Sequence, residues 1–306
     1  MKRTRVGIVG FGVMGARHAR VFGALDSDFE IAGALDPNGS QIPSFLRHFM
    51  RLEDLVDACD LVVVSNPIEA HAATVMRSLD RGRHVLVEKP IAATARAAKG
   101  LVDRAEAATG NLFVGHSERF HPVVRSLVRE LHGQRIRTIH FRRIANGAPR
   151  DASLRTREAD ALLNLAVHDI DLAAYLASSG AMLAATSFGD GLASIELTLA
   201  TGARARIQTG RAELPERTMV LETDLGTYHG DFRASTLRLT HHDPLQNKVF
   251  SLSNEEPLLA QAAAVASILK GDAAPIANAE DGARAVAIAE QALLLLGEPM
   301  KAAENL

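Results

Sequence analysis

The sequence predicts an α/β protein of two domains, the first a doubly wound parallel sheet and the second an α+β unit with an open, mostly antiparallel sheet. Three observations carry this. The chain has 306 residues, too long for one core of roughly 100–200 residues and too short for three. Short β-branched runs alternate with longer helical patterns through the first third, and that rhythm stops near residue 119. Beyond it, strand-like pieces follow one another with turn signals between them. The expected domains are residues 1–119 and 120–306.

In the first, Val6 to Val9 precedes a helix over Ala16 to Leu25, Phe29 to Leu35 precedes one over Ser44 to Arg51, and Leu61 to Val64 precedes one over Ala70 to Leu79. Val85 to Val87 leads to a helix over Ala92 to Ala108, and Leu112 to Val114 closes the series. Apolar strands separated by helices indicate a parallel sheet covered on both faces. In the second, a helix from Pro122 to Leu131 leads to a strand over Ile136 to Ile144, and Ala161 to Leu176 reads as one long helix. Strands between Ala184 and Leu252 are separated by Thr201-Gly202, Leu225-Gly226 and His229-Gly230. Pro257 sits like a first-turn proline before a helix to Lys270, and Ala279 to Leu296 is the last helix.

Composition removes several function classes. Hydrophobic residues at 47% and charged ones at 23% are a globular mixture, not a disordered or fibrous one. Thirty-four basic against 36 acidic side chains leave a charge of -2 with no dense basic run, so no nucleic acid is expected as partner. The apolar run after the basic N-terminus is broken by Gly7, Gly10, Gly12 and Gly15, unlike a signal peptide. Stretches such as Ala292 to Leu296 fall far short of the roughly 20 residues that span a bilayer. A cytoplasmic protein with no membrane partner is expected. The one cysteine, Cys59, permits no internal disulfide and reads as a small buried hydrophobe. His241-His242-Asp243 is rich in metal-ligand types, but adjacent strand residues point to opposite faces, so it reads as a solvated turn and no metal is expected.

Gly10-Phe11-Gly12-Val13-Met14-Gly15 is a G-x-G-x-x-G placed after a predicted strand and opening a predicted helix. Gly10 permits the tight turn, Gly12 lets the backbone approach a pyrophosphate, and Gly15 lets helix and strand pack closely. The phosphates then meet the positive end of the helix, as in a Rossmann domain. Asp36, 21 residues beyond Gly15, ends the second strand where a carboxylate can accept from ribose hydroxyls. No arginine follows it to neutralise a 2′-phosphate, which favours NAD over NADP. The alternative reading of Asp36 is the start of a turn with Pro37.

Lys89 follows the buried run His84 to Val87 and Glu88, at the strand end where open parallel sheets bind ligands. It is one of only six lysines, in a chain that otherwise uses arginine, which cannot titrate near neutrality. The alternative is a solvated charge. Asn164, His168, Asp171 and Tyr175 fall at i, i+4, i+7 and i+11 of the helix over Ala161 to Leu176, on one face. Leu165, Leu172 and Leu176 take another, toward the core. A lone histidine there could be a satisfied core residue. Imidazole is nevertheless suited to exchanging a carbinol proton at neutral pH, and an ammonium to stabilising developing alkoxide charge.

With these residues in view the chain resembles the Gfo/Idh/MocA oxidoreductases. The matching segments are Gly7 to Gly15, Ser65-Asn66-Pro67 with His71, His84 to Pro90, Val114-Gly115-His116 and His168-Asp169-Ile170-Asp171-Leu172. The resemblance implies a dehydrogenase acting on a sugar, cyclitol or nucleotide sugar, forming a homodimer or homotetramer through the C-terminal sheet. It implies that Ser65, Asn66, Pro67, His71, Glu88 and Lys89 join Gly10, Phe11, Gly12, Met14, Gly15 and Asp36 at the NAD or NADP cofactor. Lys89 and His168 then become the catalytic pair, with Asn164 beside them, and His116 and Arg119 further substrate contacts. The chain departs from the pattern at Asn164, where many members carry aspartate, and at Ala166, where they carry glycine. Two alternatives remain: a reductase for an imine or other carbonyl, and an NAD(H)-binding sensor whose chemistry has decayed.

Overall fold

The computed structural model describes residues 3–148 and 156–297. It opens with β1 (Thr4–Val9), α1 (Val13–Ala24), β2 (Phe29–Leu35), α2 (Leu52–Ala58), β3 (Leu61–Val64), α3 (Ile68–Asp80), β4 (His84–Val87), α4 (Ala95–Glu106) and β5 (Leu112–Val114). These strands are parallel, in the order β5-β4-β3-β1-β2. Val6, Ile8, Val63 and Leu86 face one way, into a cluster with Val21 and Phe22 of α1. Val62, Val64, Val85 and Val87 face the other, against Val75 of α3 and Leu101 of α4. Burial on both faces is why these strands show no polar alternation. The order reverses beside β1, the switch point at which such sheets bind ligands beyond their strand ends.

The helix expected over Ser44 to Arg51 does not form. Ala34 N donates to Arg47 O (2.9 Å) and Phe49 N to Ala34 O (2.8 Å), so this segment lies along β2 and the helix starts at Leu52. Phe45 and Met50 are 83% and 80% exposed, and a helix without an apolar face to bury has little to stabilise it. The helix expected from Ala92 begins at Ala95, where Thr94 caps it by accepting from Ala97 N (3.1 Å).

The chain continues through α5 (Pro122–Glu130), β6 (Ile136–Ala145), the single turn α6 (Arg157–Ala159), a π-helical segment over Asp160–Ala166, and α7 (Val167–Leu176). Then come β7 (Ala181–Gly189), β8 (Leu192–Leu199), β9 (Arg204–Arg211), β10 (Glu216–Thr223), β11 (Gly226–Asp231), β12 (Thr236–His241) and the short β13 (Lys248–Val249). They form an eight-stranded sheet in the order β13-β12-β11-β10-β6-β9-β8-β7. All its pairs are antiparallel except β6 with β9. Ala193, Ile195, Leu197 and Leu199 of β8 are buried, while Glu196 and Thr198 between them are exposed. That period of two gives the sheet one apolar face, and α5, α7 and the π-helical segment pack against its strands. The single helix expected over Ala161 to Leu176 is therefore two, wound differently.

The last elements are α8 (Pro257–Leu269), β14 (Ala277–Asn278) and α9 (Ala279–Leu295). β14 pairs antiparallel with β5 and makes the first sheet six-stranded. Two compact units result: residues 3–117 with Leu258–Val286, and Glu118–Pro257 with 287–297. Residues 258–286, expected in the second domain, thus complete the first. Leu258, Ala262 and Val265 of α8 join the cluster around Ile8, and Val286 of α9 joins that around Val62. Their apolar faces cover the parallel sheet, which needs helices on both sides.

Candidate active site

In the first unit the loops after β1, β3, β4 and β5 leave the same edge of the sheet, because all four strands run parallel. Gly10 follows β1 with φ +85, and a Cβ there would lie 2.4 Å from Asn66 N. A Cβ on Gly15 would lie 2.0 Å from Gly10 O. Only glycine fits at either position. Gly12 is the opposite case, since a Cβ there meets nothing within 4 Å. It is the N-cap of α1, with no side-chain cap and no acidic residue in the first turn. Backbone N–H groups at an uncapped helix start, beside open space where a side chain would stand, fit a dinucleotide pyrophosphate.

The residues around this loop brace it. Ser65 Oγ donates to Gly10 O (2.8 Å), so Ser65 fixes the turn. Phe11 is buried and Met14 half-buried against the same core. Asp36 accepts from Phe11 N (2.6 Å) through one oxygen and from Asn38 N (2.7 Å) through the other. Asp36 thus starts a turn, and its carboxylate stands against the glycine loop.

Glu88 and Lys89 follow β4, which lies between β3 and β5. Glu88 is buried, with Oε1 2.7 Å from His18 Nε2 and Oε2 accepting from Lys89 N (3.2 Å). Burial pushes its carboxyl up, but the His18 hydrogen bond and charge and the Lys89 and His71 charges outweigh this and hold it below its ordinary value. Glu88 was expected at the cofactor; its two oxygens tie α1 to the strand end that carries Lys89. The Lys89–Pro90 peptide is cis. His71 lies with Nδ1 2.9 Å from Pro90 O and Nε2 2.9 Å from Asn66 O, clasping the loops after β3 and β4 together. Asn66 Nδ2 donates to Thr74 Oγ1 (3.0 Å), and Pro67 is the N-cap of α3. His116, after β5, is buried at 1% exposure.

In the second unit the expected polar stripe divides. His168 stands half-buried in the first turn of α7. Asp171 accepts both arms of the Arg119 fork (2.9 and 2.5 Å), and the Arg119 guanidinium stacks 4.6 Å from the Tyr175 ring centre. Arg119, expected to touch substrate, is buried with its fork on Asp171. Asp169 takes the Arg143 fork in the same manner (2.8 and 2.7 Å). Glu118 faces Arg143 at 3.5 Å and pairs with Arg217. Burial pushes Glu118 up and the two guanidinium charges outweigh that, holding it below its ordinary value. Two forked ion pairs thus anchor α7 just after His168.

Asn164 Nδ2 donates to Asp160 Oδ1 (2.9 Å), and Asp160 is paired with Arg211. Sequence reasoning missed Asp160, Arg211, Arg143 and His18. The spacing Asp160, Asn164, His168, in steps of four, was the available signal for the first. His241-His242-Asp243 is a turn, with Asp243 N donating to His241 Nδ1 (2.9 Å) and Asp243 Oδ1 accepting from Leu245 N (3.0 Å).

A parallel switch-point sheet with this loop, joined to an α+β unit, defines a two-domain nicotinamide-dinucleotide oxidoreductase. The family model described as "Oxidoreductase family, NAD-binding Rossmann fold" matches residues 4–116. That family is the Gfo/Idh/MocA oxidoreductases, and residues 4–116 of this chain match its NAD-binding part. It is 26% identical over 253 residues to UDP-N-acetylglucosamine 3-dehydrogenase of Acidithiobacillus ferrooxidans, covering 79% of this chain and 78% of that one. The solved structure of that enzyme matches with a TM-score of 0.84 at 24% identity, over 97% and 98% of the two chains. Inositol 2-dehydrogenase of Acidothermus cellulolyticus is 28% identical over 186 residues, 57% of this chain and 54% of that one. Biliverdin reductase from Synechocystis, solved with biliverdin and NADP+, shares the fold with a TM-score of 0.77 at 21% identity over 96% and 99% of the chains.

Proposed function

We propose that the protein moves a hydride reversibly between NAD(H), with NADP(H) as the second choice, and a secondary alcohol of a sugar, cyclitol or nucleotide sugar. The observation that carries this reading is how each candidate proton-handling group is held. Lys89 stands on a strand end tied down by Glu88 and His71, and His168 on a helix flanked by two buried arginine forks. The bound nicotinamide supplies the hydride acceptor or donor. Gly10, Phe11, Gly12, Met14, Gly15, Ser65, Asn66, Pro67 and His71 shape its seat, and Asp36 accepts from the ribose hydroxyls. Lys89 orients and polarises the reacting oxygen, and His168 Nε2 takes or returns its proton. Asn164 positions a neighbouring hydroxyl, with His116 lining the same substrate. The similarity to named sugar and inositol dehydrogenases supports the substrate class. No described helix is long and apolar enough to cross a membrane. We place the enzyme in the cytoplasm as a homodimer or homotetramer joined through the eight-stranded sheet.

The test is turnover, read as nicotinamide absorbance with NAD and NADP, against UDP-N-acetylglucosamine, myo-inositol, sugar acids, ketones and imines. An alcohol is expected to react, and Lys89→Met or His168→Ala to cut kcat by about 10²–10⁴. Turnover confined to imines would move the reading to a reductase. Dinucleotide uptake without any turnover would move it to a sensor.

A further inference from the structure

Asp160 is 2% exposed, yet it is a carboxylate at the head of an apolar run, Ala161, Leu162 and Leu163 all being buried. Its oxygens are accounted for by two neighbours. Arg211 of β9 gives Nε to Oδ2 (2.6 Å) and Nη2 to Oδ1 (3.2 Å). Asn164 gives Nδ2 to Oδ1 (2.9 Å). The remaining arm of Arg211, Nη1, reaches the carbonyl oxygens of Asn146 (3.1 Å) and Gly147 (3.4 Å), just past the end of β6. The chain of contacts therefore runs from the backbone beyond β6 to a guanidinium, from the guanidinium to a carboxylate, and from the carboxylate to one amide.

An asparagine amide offers two donors at one end and an acceptor at the other, and nothing in its shape decides which end faces a ligand. A carboxylate only accepts. Asp160 thus admits only the Nδ2 end of Asn164 and turns Oδ1 away from itself.

We infer that Asp160, held by Arg211, is a positioning residue that fixes the Asn164 amide so that its oxygen, an acceptor, is presented to the substrate. The consequence is a specificity rule. The substrate group that meets Asn164 must be a donor, a hydroxyl or an amide N–H beside the reacting carbon. An ether or carbonyl oxygen there leaves two acceptors facing each other, which a buried site does not tolerate. This rests on the proposed role of Asn164 at the substrate, whereas the orientation of the amide does not.

The two parts are separated by observing the amide directly. In ¹⁵N-labelled protein the Asn164 side-chain NH₂ pair, assigned by its disappearance in Asn164→Asp, is expected to show one proton shifted downfield by the carboxylate and slow to exchange. Asp160→Asn should abolish both features while the backbone spectrum keeps its dispersion, and Arg211→Lys should weaken them, covering the case in which Asp160→Asn does not fold. An Asn164 proton that is unshifted in the native protein, or unchanged in both variants, overturns the orientation. Adding myo-inositol or UDP-N-acetylglucosamine with NADH should move this resonance. If it stays put with every polyol and nucleotide sugar, the substrate-facing half is overturned and the orientation stands. With a reactive alcohol, Asp160→Asn should lower the preference for that substrate over its analogue lacking the neighbouring hydroxyl by about tenfold. A role confined to stability would leave that preference intact.

Discussion

The strand-end loops of the first unit and the π-to-α helix of the second both hold candidate site side chains, and they do so by different means. After β1, β3 and β4 the work is done largely by backbone: Gly10 and Gly15 let chains approach, Ser65 closes on a carbonyl, and His71 clasps two more. Around α7 it is done by charge, with Arg119, Arg143 and Arg211 each forked onto a buried aspartate. A site built on backbone tolerates changes of charge but not of volume. A site built on buried ions tolerates the reverse.

Removing one partner of a buried ion pair should therefore give the largest effect in the molecule. Arg119→Ala leaves Asp171 in a place that is nearly waterless, and a loss of about 3–5 kcal/mol is expected, read from the urea midpoint. Replacing both, as Arg119→Met with Asp171→Leu, should recover most of it. An unchanged midpoint in the single variant would show that the second region does not depend on charge. The next effect belongs to the first region. Gly15→Ala places a methyl against Gly10 O and should cost about 1–3 kcal/mol while weakening NADH binding. Gly12→Ala meets nothing and should leave unfolding unchanged while still lowering NADH affinity by calorimetry, because the added methyl occupies the phosphate approach. Equal behaviour of the two variants would break the distinction between a packing glycine and a ligand glycine.

The same contrast explains what could be read from the chain. Gly10, Gly12, Gly15 and Asp36 lie within one strand-turn-helix-strand unit, and Lys89 announces itself by ending a buried run, so local pattern sufficed. The pairs of the second region join residues 52, 26 and 51 apart in sequence, for Arg119 with Asp171, Arg143 with Asp169 and Arg211 with Asp160. No periodicity links them, and each arginine looks like any surface arginine until the sheet brings it over. The change of winding was hidden for a related reason: Leu162, Leu163 and Ala166 are buried and suit either helix, so apolar spacing cannot choose between them. The missing helix over Ser44 to Arg51 failed through edge bonding to Ala34, a contact outside its own segment. Helical spacing and family resemblance singled out His168 and Asn164, and the same step of four extended one turn back would have included the carboxylate of Asp160.

Acid should sharpen the comparison, since each region has a glutamate held among positive partners and largely shielded from water. Glu88 and Glu118 are both held below the ordinary 4.5. A lowered folded value means that the stability they contribute is complete above about 4.5 and is lost as pH falls through the folded values. Between about pH 5 and pH 3 the Tm of Glu88→Gln and of Glu118→Gln should decline less steeply than that of the parent protein. Parallel declines would show that neither carboxylate is tied as the structure has it.

The smallest expected change is also the cleanest monitor of the first region. Cys59 is fully buried beneath Gly7, where a Cβ would come within 3.0 Å of its sulfur, and burial pushes its thiol up to about 12. Reaction needs the thiolate, so a maleimide should leave the native protein unlabelled and react only through opening of this unit. In that regime the labelling rate follows the population of the open form. Gly15→Ala should therefore raise it by about 5–150-fold, the factor that 1–3 kcal/mol represents, while Gly12→Ala leaves it where it was. Fast labelling of the native parent would mean that the apolar cluster under β1 opens without unfolding, and the backbone scaffold on which the glycine loop rests would then be the softer of the two regions.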